Sequence, residues 1–204
     1  MAQSLKPELK SSILTHAAEE FLTYGYDNSS MRRIAKSSGM TVGNLYRYFT
    51  GKEDLIHQIV SSTFDHIQTL LREKSLDMVS MFDTDFAANV TLEHAREILS
   101  ELADELVDIY NSSRVSFNVL MLHSRFNSEI TKWFSDFLYA FLSSKYHDKI
   151  TDGEIIVLAH SYAESLFTGM RSIFSFSELK ESSLKKTVRI YFDSFINMLD
   201  LFKE

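Results

Sequence analysis

The chain has 204 residues, enough for one large domain or two small ones, and 45% of them are hydrophobic, which can supply a sizeable core. It contains no cysteine, which excludes disulfides and thiolate metal sites, and its single proline and six glycines favour long helices over short strands. Neither a charged-then-apolar leader nor a run of about 18 apolar residues is visible, so we expect a cytoplasmic protein with no membrane partner.

The formal net charge of −7 is distributed unevenly along the chain. Residues 1–60 carry seven Lys and Arg against six Asp and Glu, a net charge of +1, whereas the remainder carries 14 against 22, a net charge of −8. Contact with DNA is therefore electrostatically favoured only in the first third of the chain.

Apolar residues recur at spacings of three or four along most of the chain, which predicts an all-α protein. In chain order we expect helices over residues 7–24, 30–38, 41–49, 51–73, 92–110, 115–126, 128–146, 151–174 and 183–202. Pro7 suits a first helical position and Gly25 a helix stop. Ser29 or Ser30, and then Thr41, are expected to cap the second and third helices through their hydroxyls.

Two capping-box spacings mark the starts of later helices. Thr50 with Glu53 and Thr151 with Glu154 have the hydroxyl and the carboxylate three residues apart that this motif needs. We expect the helix that begins after Thr50 to connect the two parts of the chain rigidly. The segment 115–126 is apolar on more than one side, which predicts a buried position.

Residues 30–52, SMRRIAKSSGMTVGNLYRYFTGK, predict two short helices joined by a glycine turn. Ala35 is small enough to let the second helix approach, and Gly39 can take the left-handed conformation that ends a helix cheaply. Leu45 can then pack back toward Ala35. This is the layout of a helix-turn-helix, whose second helix lies in the DNA major groove, so we expect a DNA-binding regulator rather than an enzyme.

The longer stretch GYDNSSMRRIAKSSGMTVGNLYRYFTGKEDL resembles the amino-terminal signature of the TetR family of transcriptional regulators. The resemblance covers residues 10–60 and implies a three-helix helix-turn-helix domain over residues 1–50. A larger helical regulatory and dimerisation domain would follow over residues 51–204, with the fourth helix, residues 51–73, as the connection. The family also implies a homodimer through the last two helices and a small-molecule effector that releases the operator. The sequence departs from the family pattern at Met31, where a second threonine is frequent.

The first turn of the predicted recognition helix is expected to read base edges. It comprises Thr41, Val42, Gly43 and Asn44, where the asparagine can hydrogen-bond adenine and the valine can contact a thymine methyl. The resemblance adds Tyr46 as a residue that faces the groove. Alternatively, members of the first turn serve only as caps or spacers, and the tyrosine is a packed aromatic residue with its hydroxyl at the surface.

A second group of residues is expected to contact the phosphate backbone. Tyr48 and Lys52 resemble phosphate contacts of the family, and the lysine also lies in the first turn of a helix, where exposed amides favour an anion. Ser30 and Arg32 begin the second helix, and Arg47 is a weaker candidate because basic residues are common at protein surfaces. For Lys52 the alternative is an ordinary solvated lysine.

The later helices carry two overlapping apolar sets. Most of the 16 phenylalanines belong to core stripes, but one block can line an apolar effector pocket. The predicted pocket residues are Phe117, Met121, Phe126, Trp133, Phe137, Phe141, Tyr162 and Phe167. The predicted dimer interface, implied by the resemblance, comprises Ile155, Tyr162, Leu166, Met170, Val188, Phe192, Phe195 and Leu199.

Motifs for cofactors and catalysis are lacking in the sequence. None of the seven histidines has a histidine partner four residues away, no glycine-rich phosphate loop follows a strand, and no nucleophile elbow is present. We therefore expect no cofactor or metal. The leading hypothesis is a homodimeric repressor that a small apolar or aromatic effector releases from a palindromic DNA operator. The alternative is a helical protein-interaction module whose DNA binding is secondary or absent.

Overall fold

The computed structural model describes residues 6–82, 92–175 and 178–199. Nine α-helices and no β-strand occur among these residues, which confirms the all-α prediction. In chain order the helices are α1 (Pro7–Asn28), α2 (Met31–Ser37), α3 (Val42–Leu45), α4 (Lys52–Phe82), α5 (Leu92–Ser112), α6 (Arg114–Leu122), α7 (Ser124–Tyr146), α8 (Asp152–Ser175) and α9 (Glu181–Met198). The predicted end of the last helix, Phe202, lies outside the described residues. Within those ranges, none of the helices has the length and apolar character needed to span a bilayer.

The first helix begins at proline, as predicted, but it is only interrupted at Gly25 and ends at Asn28 rather than at the predicted Tyr24. Pro7 lies in the first turn of α1, where its missing N–H is not needed. Gly25 has a φ of +74°, so the helical backbone is interrupted there before one further turn ends at Asn28. Glycine adopts this left-handed region without the clash that a Cβ would cause.

Two predicted side-chain caps are confirmed. Thr41 Oγ1 accepts a hydrogen bond from the Asn44 N–H at 3.2 Å, at the start of α3. At the start of α8, the Thr151 N–H donates to Glu154 Oε2 at 2.7 Å, and the Glu154 N–H donates back to Thr151 Oγ1 at 3.3 Å. Each cap satisfies amides that would otherwise lack a partner inside the helix.

Two other predicted caps are wrong in their details. Ser30 precedes α2 but makes no side-chain cap bond, and the Ser29 hydroxyl donates to a carbonyl of the preceding turn instead. The Thr50 N–H donates to Asp54 Oδ2 at 2.9 Å rather than to Glu53. Both carboxylates lie within four residues of Thr50. Glu53 accepts a hydrogen bond from a different residue, described below.

The helices form two units that are described separately. The first unit contains the described residues up to Asp65 together with Ser113–Ser124, and the second contains His66–Ser112 and the described residues from Arg125 onward. The segment around α6 therefore groups with the amino-terminal helices, whereas it was expected in the larger domain of residues 51–204. Within the first unit, the Ser116 hydroxyl donates to the Ile59 carbonyl at 2.8 Å and ties α6 to α4.

In the second unit, α5 and α9 pack against each other in opposite directions. Lys185 Nζ lies 2.6 Å from Asp108 Oδ1, and Arg189 Nε donates to Asp104 Oδ1 at 2.7 Å. These pairs border an apolar core to which both helices contribute. The α5 and α9 core residues are Ala95, Ile98, Leu99, Leu102, Ala103, Leu106, Val107, Tyr110, Leu184, Val188, Phe192, Phe195 and Ile196.

Candidate nucleic-acid interface

The turn between α2 and α3 has the backbone hydrogen bonds of a Schellman motif. The Met40 N–H donates to the Ala35 carbonyl at 2.9 Å, and the Gly39 N–H donates to the Lys36 carbonyl at 3.1 Å. Gly39 has a φ of +69°, the left-handed conformation that this motif requires. The glycine turn predicted from the sequence is thereby confirmed, and it directs the chain from α2 into α3.

The apolar residues of this helix pair are buried on one side of it. Ile34 and Ala35 from α2, Leu45 from α3 and Phe49 after it are each at most 1% exposed. Their burial fixes which face of the helix pair can meet a ligand. Ala35 and Leu45, which were expected to face each other within this helix pair, are both buried.

An open depression of about 900 Å³ lies on the opposite, solvent side of this helix pair. Its lining consists of Arg32, Lys36, Gly39, Met40, Thr41, Val42, Gly43, Asn44 and Arg47. Three of these side chains are basic and none is acidic. The structure therefore brings together six of the ten predicted DNA-binding residues around a positively charged concave surface.

The remaining predicted contacts differ in exposure. Tyr46 is 52% exposed although it is aromatic, which argues against the packed alternative. Tyr48 and Ser30 are half-buried. Because the serine makes no cap bond with its hydroxyl, that hydroxyl is not committed to the helix.

Sequence reasoning missed the buried carboxylate that holds α2 against α1. Glu20, only 7% exposed, accepts hydrogen bonds from the Ser30 N–H at 2.8 Å and from Arg33 Nε at 2.7 Å. This hydrogen bond raises the pKa of Arg33 above its ordinary value, and the guanidinium also lies 4.2 Å from the centre of the Tyr24 ring. The sequence contained one sign of this role. Glu20 lies three residues after Ala17, which places it on the apolar face of α1.

Lys52, predicted as a phosphate contact, is engaged inside the first unit. Its Nζ lies 2.8 Å from the Tyr26 carbonyl and 3.2 Å from the carbonyls of Asp27 and Ser29. It also lies 4.8 Å from the centre of the Tyr26 ring. A lysine ammonium has three donors, and here each has a carbonyl acceptor.

The Tyr26 side chain joins three elements of the first unit. Its hydroxyl donates to Glu53 Oε2 at 2.8 Å, and its ring meets that of His123 edge-on, with the ring centres 4.7 Å apart. Burial and then the hydrogen bond to Glu53 raise the pKa of Tyr26 to about 12, so the phenol remains protonated near neutral pH. No pattern in the sequence indicated this contact between α1, α4 and the end of α6.

The predicted pocket residues are divided between the two units. Phe117 and Met121 are buried in the first unit, whereas the other six residues belong to the second. Within the second unit, Trp133 is half-buried, stacks on Phe137 with ring centres 5.7 Å apart, and donates from Nε1 to Ser75 Oγ at 2.6 Å. Buried there are Phe126, Phe137, Phe141 and Phe167, while Tyr162 is half-buried.

A different depression, of about 360 Å³, is described within the second unit. It is lined by His66, Thr69, Leu70, Glu73, Glu105, Asp108 and Ile109, which share no residue with the predicted pocket. In the described part of the chain, no group of three or more His, Asp or Glu side chains has a geometry that could hold a metal ion.

Most of the predicted dimer-interface residues are covered within this chain. Seven of the eight are at most 5% exposed, and they are Ile155, Leu166, Met170, Val188, Phe192, Phe195 and Leu199. The eighth, Tyr162, is half-buried and meets the Phe195 ring edge-on, with ring centres 5.7 Å apart. These side chains form the core beneath α8 and α9. The exposed apolar residues of the two helices are others, namely Ile156, Val157, Ile190 and Met198.

Comparisons with known proteins agree with this geometry. Residues 13–59 match the family model described as "Bacterial regulatory proteins, tetR family". The HTH-type transcriptional regulator SAR2658 of Staphylococcus aureus (strain MRSA252) is 26% identical over 133 residues, covering 61% of this chain and 72% of that protein. The HTH-type transcriptional regulator SAUSA300_2515 of S. aureus (strain USA300) is 36% identical over 59 residues, so this chain spans only 32% of that relative.

Solved structures extend the likeness to the whole fold. A TetR-family transcriptional regulator from Bordetella parapertussis 12822 aligns with a TM-score of 0.54 at 18% identity, covering 92% of this chain and 95% of its own. The TetR-family regulator PfmR from Thermus thermophilus aligns with a TM-score of 0.53 at 16% identity, covering 94% and 99%. At these identities the likeness establishes the fold.

The helical fold and its basic depression define a helix-turn-helix DNA-binding protein. Residues 13–59 thus resemble the tetR family of bacterial regulatory proteins, and the fold of the chain is similar to that of TetR-family regulators.

Proposed function

We propose that the chain is a homodimeric repressor that binds a palindromic operator and is released from it by a small apolar or aromatic effector. The observation that carries the proposal is the acid-free basic depression formed by α2, the glycine turn and α3. Phosphates need basic groups at the rim, and base edges need small or polar side chains at the centre. Binding to chromosomal DNA implies that the protein acts in the cytoplasm.

In this proposal, the residues of the depression divide into two roles. Arg32, Lys36 and Arg47 neutralise phosphates, while Val42 and Asn44 meet base edges at the first turn of α3. Thr41 already caps α3 through its hydroxyl, so its contribution is to fix the helix start. Gly43 leaves room for the backbone to approach the groove, because nothing lies within 4 Å of a Cβ placed there.

Binding of the purified protein to a fluorescent duplex from the region upstream of its own gene tests DNA recognition. We expect saturable binding that survives excess random-sequence DNA, and a loss of about tenfold or more for Tyr46→Ala, equivalent to about 1.4 kcal/mol. Tyr139→Ala, which removes another exposed tyrosine from α7, is the matched control and leaves the affinity unchanged. A folded dimer without any sequence-specific binding would favour the protein-interaction module instead.

The homodimer is supported by the outer face of α8 and α9 rather than by their buried stripes. Along this face most side chains are uncharged and many are small, which allows close helix packing, and the exposed Glu164 lies at its border. The face comprises Val157, Ser161, Ser165, Thr168 and Ser172 from α8 and Ser183, Thr187, Ile190, Ser194 and Met198 from α9. Val157 and Ile190 are 65% and 54% exposed, which is high for branched apolar residues.

A charge placed on this face tests the dimer. We expect Val157→Asp to shift the protein to monomers in sedimentation equilibrium, because a carboxylate would be buried without a partner. Val115→Asp is the control, since that valine is similarly exposed at 53% but lies on α6 in the first unit. The proposal for this interface fails if Val157→Asp remains dimeric at the wild-type concentration dependence.

The effector is proposed to bind among the aromatic side chains of the second unit. Trp133 is the single tryptophan of the chain, so its fluorescence reports on this environment alone. We expect an effector of this class to quench or shift that emission at the concentrations that release the duplex. An effector can also release the duplex without changing the Trp133 emission of either the wild-type protein or a Phe137→Ala variant. That result would place the effector site elsewhere.

A further inference from the structure

The ammonium of Lys52 is directed into the protein rather than toward a surface ligand. Its three donors meet the carbonyls of Tyr26, Asp27 and Ser29, at the carboxyl end of α1. We propose that Lys52 is a positioning residue that clamps the α1–α2 turn and thereby sets the position of α2, and that it does not bind phosphate. This inference rests on the proposed DNA-binding function. It replaces the phosphate contact that the sequence predicted for Lys52 with a positioning role.

The clamp has an electrostatic reason. Carbonyls at the end of a helix lack partners inside it and carry the negative end of the helix dipole, so a cation is stabilised there. The Tyr26 ring adds a second attraction, since its face lies 4.8 Å from Nζ. Moving the ammonium out to a phosphate would take this donor from the carbonyls of Asp27 and Ser29, whereas the Tyr26 carbonyl also accepts from the Ser29 hydroxyl at 2.6 Å.

The rest of the turn is held as completely as the part that Lys52 binds. The Asn28 carbonyl accepts from Arg33 Nη2 at 2.6 Å, and the Ser30 N–H donates to Glu20 at 2.8 Å. The Ser30 carbonyl accepts the first helical hydrogen bond of α2, from the Ile34 N–H at 3.0 Å. All carbonyls from Tyr26 to Ser30 therefore have donors, and the start of α2 is fixed relative to α1.

The neighbouring residue strengthens the same clamp. Glu53 accepts the Tyr26 hydroxyl, so two consecutive residues of the first turn of α4 hold one tyrosine and its turn. The result is a connection from α4 through Tyr26 to α2, on which Arg32 and Lys36 are carried. A loss of the clamp should therefore weaken DNA binding, because α2 is no longer held in place before it binds, while Arg32 and Lys36 still reach their phosphates in the complex and no phosphate contact is lost.

Salt dependence separates a positioning role from a phosphate contact. Each phosphate contact that is lost lowers the slope of log K against log salt by about 0.9, whatever the sequence of the duplex. We would measure binding to the upstream duplex and to a random 30-bp duplex between about 50 and 200 mM salt. The variants are Lys52→Met, which keeps the apolar stem, and Lys36→Met as the matched lysine of the depression. Thermal unfolding is followed for each variant.

The proposal expects opposite patterns for the two lysines. Lys52→Met lowers the melting temperature by about 2–4 °C or more and weakens binding to the upstream duplex, with an unchanged salt slope. Lys36→Met lowers the salt slope by about 0.9 and leaves the melting temperature unchanged. A slope reduced by about 0.9 in Lys52→Met, with an unchanged melting temperature, would overturn the proposal.

A milder variant covers the case in which Lys52→Met does not fold. Tyr26→Phe removes only the hydroxyl bond to Glu53 and no charge, and we expect weaker binding to the upstream duplex with the wild-type salt slope. The control is Tyr146→Phe, which loses a buried hydroxyl bond to the Leu199 carbonyl in the second unit and lowers stability without affecting DNA affinity. Equal DNA affinity for both tyrosine variants would contradict the clamp.

The proposed function and the clamp can fail separately. If the wild-type protein binds neither duplex, the DNA-binding proposal is rejected. The clamp is still tested in that case, because the melting temperatures of Lys52→Met and Lys36→Met can be compared without DNA. Equal melting temperatures for these two variants would reject the clamp whether or not DNA is bound.

Discussion

At the scale of single residues, Gly169 is required by the way α8 meets α9. The Tyr191 hydroxyl donates to the Ser165 carbonyl at 2.9 Å, and a Cβ added at Gly169 would lie 2.1 Å from that hydroxyl oxygen. Gly169→Ala must therefore displace the Tyr191 ring, and we expect a loss of about 1–3 kcal/mol in the free energy of unfolding, as for other overpacked sites. Urea unfolding measures this change.

Another glycine of the same helix supplies the control. Gly153 lies in the first turn of α8, and nothing would lie within 4 Å of its added Cβ. Gly153→Ala is expected to leave stability unchanged or raise it by up to about 1 kcal/mol, because alanine favours the helical backbone. Equal losses for the two variants would show that the contact with Tyr191 is not the cause.

Glu20 is the second residue whose identity is set by a partner far along the chain. It accepts from Arg33 and from the start of α2, so Glu20→Gln leaves a guanidinium without its charged partner and weakens an N-terminal hydrogen bond. We expect the melting temperature to fall, and Glu19→Gln, at the adjacent exposed position, to leave it unchanged. A similar melting temperature for both variants would count against the buried pair.

At the scale of elements, the start of α4 depends on one ionised carboxylate. Burial raises the pKa of Asp54, but hydrogen bonds from the Thr50 N–H and from Gln58 outweigh it and hold the pKa below its ordinary value. A folded-state pKa below the unfolded value stabilises the fold above the unfolded pKa, about 3.9, and the contribution is lost as the pH falls through the folded pKa.

The Asp54→Asn variant tests this cap. We expect it to lower the free energy of unfolding by about 1 kcal/mol at pH 7, as loss of a helix cap does, and the difference from wild type to shrink below about pH 4. Asp65→Asn is the control, because this aspartate is exposed on the same helix. A difference that stays constant from pH 7 to pH 3 would assign the effect to something other than the charge of Asp54.

The elements also show how far sequence reasoning reaches. The glycine turn at Gly39 and the cap at Thr41 were predictable because each depends on residues within a few positions. The contacts of Lys52 were not predictable, because their acceptors are backbone carbonyls of residues 26–29. Every residue type has such a carbonyl, so the sequence gives no sign of them. Thr50 had two carboxylates within reach, and the choice of Asp54 depends on Tyr26, which holds Glu53.

The stripes of α8 and α9 illustrate a second limit. A helix buries its most apolar stripe first, and periodicity cannot say whether the partner belongs to the same chain or to another copy. Phe192 and Leu166 were therefore predicted as interface residues but lie in the core. The uncharged residues Ser161, Ser165 and Thr168 on the opposite side of α8 were also visible in the sequence, and they belong to the face that the proposed dimer uses.

At the scale of the whole molecule, the proposed dimer makes the spacing of the operator a measurable quantity. Two recognition helices held by one dimer must enter major grooves on the same side of the duplex, about one helical turn or a multiple of it apart. Inserting 5 bp at the centre of the operator rotates one half-site by about half a turn, so the two half-sites then face opposite sides.

We expect the 5-bp insertion to weaken binding of the wild-type dimer about 100-fold or more, since one of its two sets of contacts is lost. The Val157→Asp monomer supplies the comparison, because independent heads bind each half-site alone and the insertion leaves their affinity unchanged. Anisotropy titrations of both proteins on both duplexes measure the four affinities. If the wild-type protein tolerated the insertion as well as the monomer does, the two heads would not be coupled through α8 and α9, and the proposed mode of release by an effector would lose its mechanical basis.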